Sequence, residues 1–481
     1  MPVRELAPGR AILRLSPACL LLALTPPCLG AQINVQASQE RPNIVLIFPD
    51  NLGWGEVGAY GGVRGVPTPR LDQLAAEGIR LNNFNVEYSC TVSRAALMTG
   101  RYAVRTGATQ GAGITLWEVT IPEALKPLGY ATALFGKWHL GGNNPEGHRE
   151  PTHQGFDEFY GIPRTSNEAQ TTTSPGFDPA TMQPPYIWEG RVGEPTRNVK
   201  LFDLETRRTI DREAAEKSIA FMERNARGNR PFFVYYAMTQ IHFPTLPHPD
   251  FAGKTGAGDI GDAMADIDYN VGLILDAIDR IGIRENTIVF WCTDNGAEAR
   301  RPWRGSPGPW AGYYNTVMEG GIRTPCIIRW PGHIPAGQVT SEIVHQVDFF
   351  PTIAAAIGAD IVPTDRPIDG VNQLPFFEGK QPHSGRENVI FFTGSQLRAV
   401  KWQDWKFHYS FQPEPGAAAE PTMRLFNLRS DPREETDVKD FYPWVKSVAD
   451  RIVAEFTAST ERYPNVPQNA PDPYVPARRD R

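Results

Sequence analysis

Three runs of consecutive apolar residues stand out along the chain: NIVLIF at 43–48, PFFVYYAM at 231–238 and TIVFWCT at 287–293. Unbroken apolar runs of this length fit strands covered on both faces of an α/β sheet, where neither side needs polar residues. Between them, apolar positions recur at helical spacing. The segment TPRLDQLAAEG, at 68–78, has Thr68 where a cap is expected, Pro69 at the first helical position and Gly78 as the stop. The segment 211–227 reads as an amphipathic helix. So does 263–281, where Ile267, Val271, Ile274, Leu275 and Ile278 share a face. After about residue 379 the texture changes. NVIFF, LRAVKW, WKFHYSF and MRLFNL read as short antiparallel strands, followed by a helix over 442–460. The pattern predicts an α/β fold. A large domain over 41–379 has a mostly parallel central sheet flanked by helices. A smaller C-terminal α+β subdomain over 380–464 has an antiparallel sheet, and a Pro-rich tail fills 465–481. The Thr-, Pro- and Gly-rich stretch 165–200 is expected to be a long loop.

Composition narrows the class. Hydrophobic residues make up 41% of the 481 and charged residues 21%, as in an ordinary soluble domain. A net charge of -6 argues against a nucleic-acid partner, because phosphate neutralisation needs a basic surface. Residues 1–31 differ from the rest. Arg4, Arg10 and Arg14 precede the apolar run ACLLLALT and then PPCLGAQ, the layout of a secretory signal peptide whose apolar core is too short to span a bilayer. No later segment is apolar for long enough to cross one, so an exported protein, periplasmic or secreted, is expected. Of five cysteines, Cys19 and Cys28 fall in that leader. Cys90, Cys292 and Cys326 remain, an odd number that allows at most one disulfide.

The residues that follow the strands carry the chemistry. NIVLIF runs into Pro49-Asp50-Asn51, TIVFWCT into Asp294-Asn295-Gly296, and PFFVYYAM into Thr239-Gln240-Ile241-His242. Ligands of open α/β sheets bind beyond the carboxyl ends of the strands. Asp50, Asn51, Asp294 and Asn295 form a hard oxygen set suited to Ca²⁺ or Mg²⁺. In GYATALFGKWHLGG, Lys137 and His139 lie two apart and share a face if that stretch is extended. In EYSCTVSRAALMTG, three residues separate Cys90 from Arg94, whereas a thiolate phosphatase loop needs five. A helix starting near Ser93 would put Cys90 at its N-terminus, where anions are favoured, and Arg94 would add a charged donor.

Taken in order, these blocks resemble the sulfatase family of the alkaline-phosphatase-like superfamily. RPNIVLIFPDNLGWGEVGAYGG is similar to the family's first metal-binding strand, CTVSRAALMTGRY to the signature around its modified cysteine, and GYATALFGKWHLG to its second signature. TDNGAE, EGGIRTPCIIRWPGHIPAG and LFNLRSDPREETDV are similar to downstream blocks, so the resemblance spans about 41–441. It implies that a formylglycine-generating enzyme converts Cys90 to formylglycine before folding. The aldehyde hydrate would then attack sulfur with one hydroxyl, and the other, once deprotonated, would release sulfate. By position, Arg94 would hold the hydrate, Lys137 the sulfate, and His139 would deprotonate the hydrate. His242 would contact sulfate and protonate the leaving oxygen. Asp50, Asn51, Asp294 and Asn295, with the group at Cys90, would bind Ca²⁺ ahead of Mg²⁺. Three positions depart from the family pattern: Val92 replaces Pro or Ala, Asn51 replaces Asp, and Tyr314 replaces a lysine whose role could pass to Arg304. The expected activity is hydrolysis of an aryl or glycan sulfate monoester. The alternatives are a phosphonate or phosphate ester hydrolase on the same site, and a non-catalytic homologue that binds sulfated glycans.

Overall fold

The computed structural model describes residues 41–108, 113–141 and 149–476. The expected signal peptide, with Cys19 and Cys28, and the last residues of the Pro-rich tail lie outside them. All three predicted apolar runs are central strands: β1 is Asn43–Ile47, β7 is Phe232–Ala237 and β8 is Thr287–Cys292, each buried throughout. They belong to an 11-stranded sheet with β2 (Ile79–Asn85), β3 (Ala131–Lys137), β4 (Glu158–Ile162), β5 (Tyr186–Arg191), β6 (Arg197–Leu201), β9 (Arg323–Arg329), β10 (Gln338–Thr340) and β11 (Val344–His345). The order is β10-β2-β9-β8-β1-β7-β3-β4-β5-β6, with β11 beside β2. β1 runs parallel to both neighbours, while β9 pairs antiparallel with β2 and β8.

The apolar runs are continuous because the sheet is covered twice. Along β1, Val45 and Ile47 pack with the helices Pro69–Ala76, Leu204–Arg227 and Gly258–Ile281, while Ile44, Leu46 and Phe48 pack with Cys90–Thr99 and Phe349–Ala356. Each such side chain taken fully from water contributes about 1.5–3 kcal/mol, which fixes the register. That register aligns the strand ends: Ile47 stands opposite both Tyr236 and Trp291, so β1, β7 and β8 release their chains at one edge.

Two local expectations change. Thr68 occupies the N-cap position, but its hydroxyl accepts from Gly58 N–H and donates to Asp72 instead of capping the helix. The stretch 165–200 is no simple loop: it contains the 3-10 segment Ser166–Thr173, β5 and most of β6, an antiparallel hairpin that extends the sheet from β4. β6 is almost wholly exposed, so it needs no apolar alternation and leaves no pattern to read. The four C-terminal strands are as predicted: β12 (Asn388–Thr393), β13 (Gln396–Trp402), β14 (Trp405–His408) and β15 (Arg424–Asn427) form an antiparallel sheet in that order. The helix Trp444–Arg462 packs on it through Val445, Ala449 and Ile452. Cys90, Cys292 and Cys326 are all free thiols, with Cys292 and Cys326 opposite one another on β8 and β9.

Candidate active site

Cys90 begins the helix Cys90–Thr99, three residues earlier than expected, with Ser89 as an extended N-cap. Arg94 follows one turn later on the same face. The chain after β1 reaches this helix end: Cys90 Sγ lies 3.4 Å from Asp50 Oδ1 and 3.5 Å from Asn51 Oδ1. Two backbone bonds, Asp50 N–H to Gln240 O and Ile241 N–H to Asp50 O, tie that turn to the chain leaving β7. From β8, Asp294 Oδ1 accepts Asn51 N–H at 3.0 Å, and Asn295 Nδ2 donates to Asn51 Oδ1 at 2.7 Å. Asn51 adopts a left-handed backbone, φ 56°, which asparagine tolerates better than most residues.

The cations close around the two aspartates. Lys137 Nζ donates to Asp50 Oδ2 at 2.7 Å, and Arg94 donates to Asp294 Oδ2 at 3.0 Å, to the Lys137 carbonyl at 2.9 Å and to the Tyr235 hydroxyl at 3.3 Å. All four charged side chains are fully buried. Gly136 lets Lys137 come this close: a Cβ there would collide with the Ala237 carbonyl on β7. β3 stops at Lys137, however, and His139 turns to φ 59°, so Lys137 and His139 do not share the face of an extended strand as expected. His139 enters the cluster's electrostatic field from that turn, with its Nδ1 buried and without a partner among the described residues. His242 Nδ1 lies 2.7 Å from the Phe243 carbonyl and Nε2 3.4 Å from Thr165 Oγ1.

The charges set the protonation states. Burial raises Asp50, but the charges of Lys137 and Arg94 outweigh it and hold the carboxyl well below its usual range. Asp294 is pushed the other way by burial and by the Asp50 charge. Burial, then Asp50, raises the Cys90 thiol well above its ordinary value, so the unmodified side chain is a neutral thiol and not a thiolate nucleophile. Burial depresses both histidines, His242 to about 3, with Lys137 adding to the effect. Both are neutral in the protein as it stands. The Nδ1 bond to a carbonyl leaves the His242 Nε2 lone pair free to accept a proton.

Asp50, Cys90 and His242 offer ligand atoms within 4.8 Å of one another, a group that could hold a metal ion. Asn295 Oδ1 is buried with no donor facing it, an acceptor that a cation would satisfy. Every residue expected at the site is thus in or around one buried cluster. Several members were not foreseen. Tyr314, where a lysine was expected, places its phenol in the field of Cys90, Asp50 and Asp294, which together with burial keeps it protonated. Arg304 does not take the lysine's place: its guanidinium binds the Tyr313 hydroxyl at 2.6 and 3.0 Å. Arg207 and Asp211 were also missed. Arg207 donates to the carbonyls of Thr239 and His242 and to Gln240 Oε1, while Asp211 accepts the N–H groups of Thr239 and Gln240. They thereby fix the loop that carries His242. Their signal was legible, since a charged pair four residues apart sits on the buried face of Leu204–Arg227 beside Ile210 and Ala214.

The chain is similar to known proteins over most of its length. Residues 42–359 match the family model described as Sulfatase, and residues 311–459 match that of the N-sulphoglucosamine sulphohydrolase C-terminal region. Arylsulfatase A of Bos taurus is 36% identical over 437 residues, covering 84% of each chain. N-acetylgalactosamine-6-sulfatase of Canis lupus familiaris is 34% identical over 401 residues, covering 79% of this chain and 74% of its own. The crystal structure of PsFucS1 sulfatase from Pseudoalteromonas sp. superposes with a TM-score of 0.81 at 30% identity, covering 89% and 92% of the two chains. The chain belongs to the sulfatase family and is a sulfuric ester hydrolase.

Proposed function

We propose that the protein hydrolyses a carbohydrate or aryl sulfate monoester at Cys90 in its formylglycine form, with Ca²⁺ held by Asp50, Asn51, Asp294 and Asn295. The observation that carries this reading is the position of Cys90 Sγ, at a helix N-terminus and against the oxygens of Asp50 and Asn51, inside a buried cluster with Arg94 and Lys137. The relatives named for N-acetylgalactosamine 6-sulfate favour a carbohydrate ester. Cys90 is only 2% exposed, which favours conversion by a formylglycine-generating enzyme before the chain folds. Export rests on the composition of residues 1–31. Among the described residues no helix is long and apolar enough to cross a membrane.

Formylglycine and a hard dication would supply, respectively, the nucleophile and charge for the ester's oxygens. The chain's own residues do the rest. Lys137 and Arg94 place two cations where sulfate charge must be met, without rearrangement. His139 and His242 start neutral and therefore as bases. A bound sulfate adds negative charge beside them and raises their affinity for a proton. His139 would take the proton of the attacking group, and His242, having gained a proton from solvent at Nε2 as the anionic substrate binds, would give it to the leaving oxygen. Arg207 and Asp211 keep His242 aimed.

Peptide mass spectrometry of the fragment containing Cys90, together with turnover of 4-nitrophenyl sulfate, phosphate and a phosphonate monoester, tests this. The expected result is formylglycine and a preference for sulfate. A preference for phosphate or phosphonate moves the substrate to those esters. A wholly unmodified thiol in the native host overturns catalysis and leaves a sulfated-glycan-binding homologue despite the retained cluster.

A further inference from the structure

The chain carries a net charge of -6, yet residues 300–304, just after the Asp294-Asn295 turn, read Arg-Arg-Pro-Trp-Arg. Arg300, Arg301 and Arg304 are exposed, and among the described residues no carboxylate lies within ion-pairing distance of their guanidinium groups. Three unpaired cations within five residues attract anions over roughly a Debye length, about 8 Å at physiological salt.

The segment is anchored to the catalytic pocket on one side. The His242 and Phe243 rings stack with centroids 4.7 Å apart, and Trp303 stacks on Phe243 at 6.3 Å. Arg300 lies 3.8 Å over the same Phe243 ring, so its guanidinium is one ring away from the His242 imidazole. On its other side the segment borders a cleft of about 480 Å³ between the large domain and the C-terminal sheet, lined by Arg304, Trp310, Tyr313, Phe411, Arg433 and Glu435. Arg433 is already matched by Glu435 at 2.9 Å, and Glu434 by Lys406 and His408, which leaves Arg304, held on Tyr313, and the exposed carboxylate of Glu414 as the cleft's remaining charges. Tyr313 is next to Tyr314, whose phenol faces the Cys90 cluster, so a single turn of chain joins cleft and pocket. Aromatic faces beside guanidinium groups are what a sugar ring with anionic substituents requires.

We propose that residues 300–304 form a recognition subsite for a second anionic group, a further sulfate or a carboxylate, on a saccharide whose scissile sulfate sits at Cys90, with the neighbouring sugar entering the Tyr313 cleft. The subsite rests on the sulfatase reading above and makes the preferred substrate a polyanionic saccharide in place of a small monoanionic ester.

The test compares kcat/KM for 4-nitrophenyl sulfate, a monosulfated hexosamine, and disaccharides carrying either a second sulfate or a uronate, in wild type, the Arg300→Gln/Arg304→Gln double variant and a remote control, Arg280→Gln. Wild type is expected to favour the doubly anionic sugars, with a preference that falls as salt rises. The double variant should lower the ratio of doubly to singly anionic kcat/KM by about tenfold or more, mainly through KM, and the control should not move it. The same ratio in wild type and double variant overturns the subsite while leaving the sulfatase reading intact. If wild type turns over none of these esters, the catalytic reading fails separately. Equilibrium binding of the disulfated disaccharide then decides the subsite, and equal affinity in the two proteins overturns it.

Discussion

Among the described residues, two of the buried charge clusters are finished differently. Around Cys90, Asp50, Arg94, Lys137 and Asp294 have fully buried side chains, yet Asn51 Nδ2, Asn295 Oδ1, His139 Nδ1, Ser89 Oγ and Thr91 Oγ1 nearby have no partner among the described residues. Where the large sheet meets the C-terminal one, Glu319 binds Lys401 at 2.7 Å and Lys406 at 3.0 Å. Glu434 binds Lys406 at 3.0 Å and His408 at 2.8 Å, and accepts the Glu319 N–H at 2.7 Å. Lys401 also reaches Asn83 and Asn85 on β2. Burial alone would raise Glu319, but Lys401 and Lys406 hold it well below the usual carboxylate range. Only the His408 Nδ1 of this group lacks a partner. An unsatisfied buried polar group costs about 1–3 kcal/mol. The junction avoids nearly all of that cost, whereas the pocket bears it several times over. At these two sites, closure goes with a structural junction and openness with the place where substrate, cation or proton would be met.

This contrast can be broken most sharply at Cys90. Cys90→Ala should cut kcat on 4-nitrophenyl sulfate by about 10⁴-fold or more, while leaving the urea midpoint nearly unchanged. A large stability loss would mean the pocket is structural after all. Glu319→Ala should do the reverse, since it strands the buried Lys401 ammonium and leaves Lys406 with Glu434 alone: about 3–5 kcal/mol of stability lost in urea unfolding. A loss under about 1 kcal/mol would make the junction as dispensable as a surface pair. Calcium comes next. At a free concentration a hundredfold above Kd it should add about 2.7 kcal/mol to unfolding, seen as a rise in Tm that a chelator reverses. No rise up to millimolar calcium would sink the cation reading.

A pH dependence separates a lone buried acid from both clusters. Glu87 accepts the Ala103 N–H, and burial, aided by Asp369, pushes its pKa to about 8. Its folded value exceeds its unfolded one, so its contribution is complete below about pH 4.5 and is lost as pH rises through about 8. The slope cannot exceed about 1.4 kcal/mol per pH unit. Glu87→Gln should flatten the stability profile across that window, and an unaltered profile would show that Glu87 ionises freely.

Much of the catalytic pocket is legible in the sequence. Asp50-Asn51, Asp294-Asn295 and His242 follow apolar runs, and such runs end at the ligand edge of an α/β sheet. Cys90 and Arg94 lie one helical turn apart. What escapes such a reading does so for physical reasons. His139 departs from the shared-face expectation because β3 ends two residues before it, where pairing with β4 gives way to a turn. β6 goes unseen because an exposed edge strand carries no apolar alternation. Arg207 and Asp211 show as a charged pair on an otherwise apolar helix face, but what they hold, the Thr239–His242 backbone, is decided by the tertiary contact.

The sequence by itself determined which segments are buried, because continuous apolar runs can be hidden only between two layers of helices, and it determined which chemical groups stand at the strand ends. The tertiary structure alone decided which of those groups meet. Asn51 and Asn295 are 244 residues apart and hydrogen-bonded. It also decided which atoms were left without partners, since an orphaned amide or a neutral histidine is a property of everything packed around it and not of the residue.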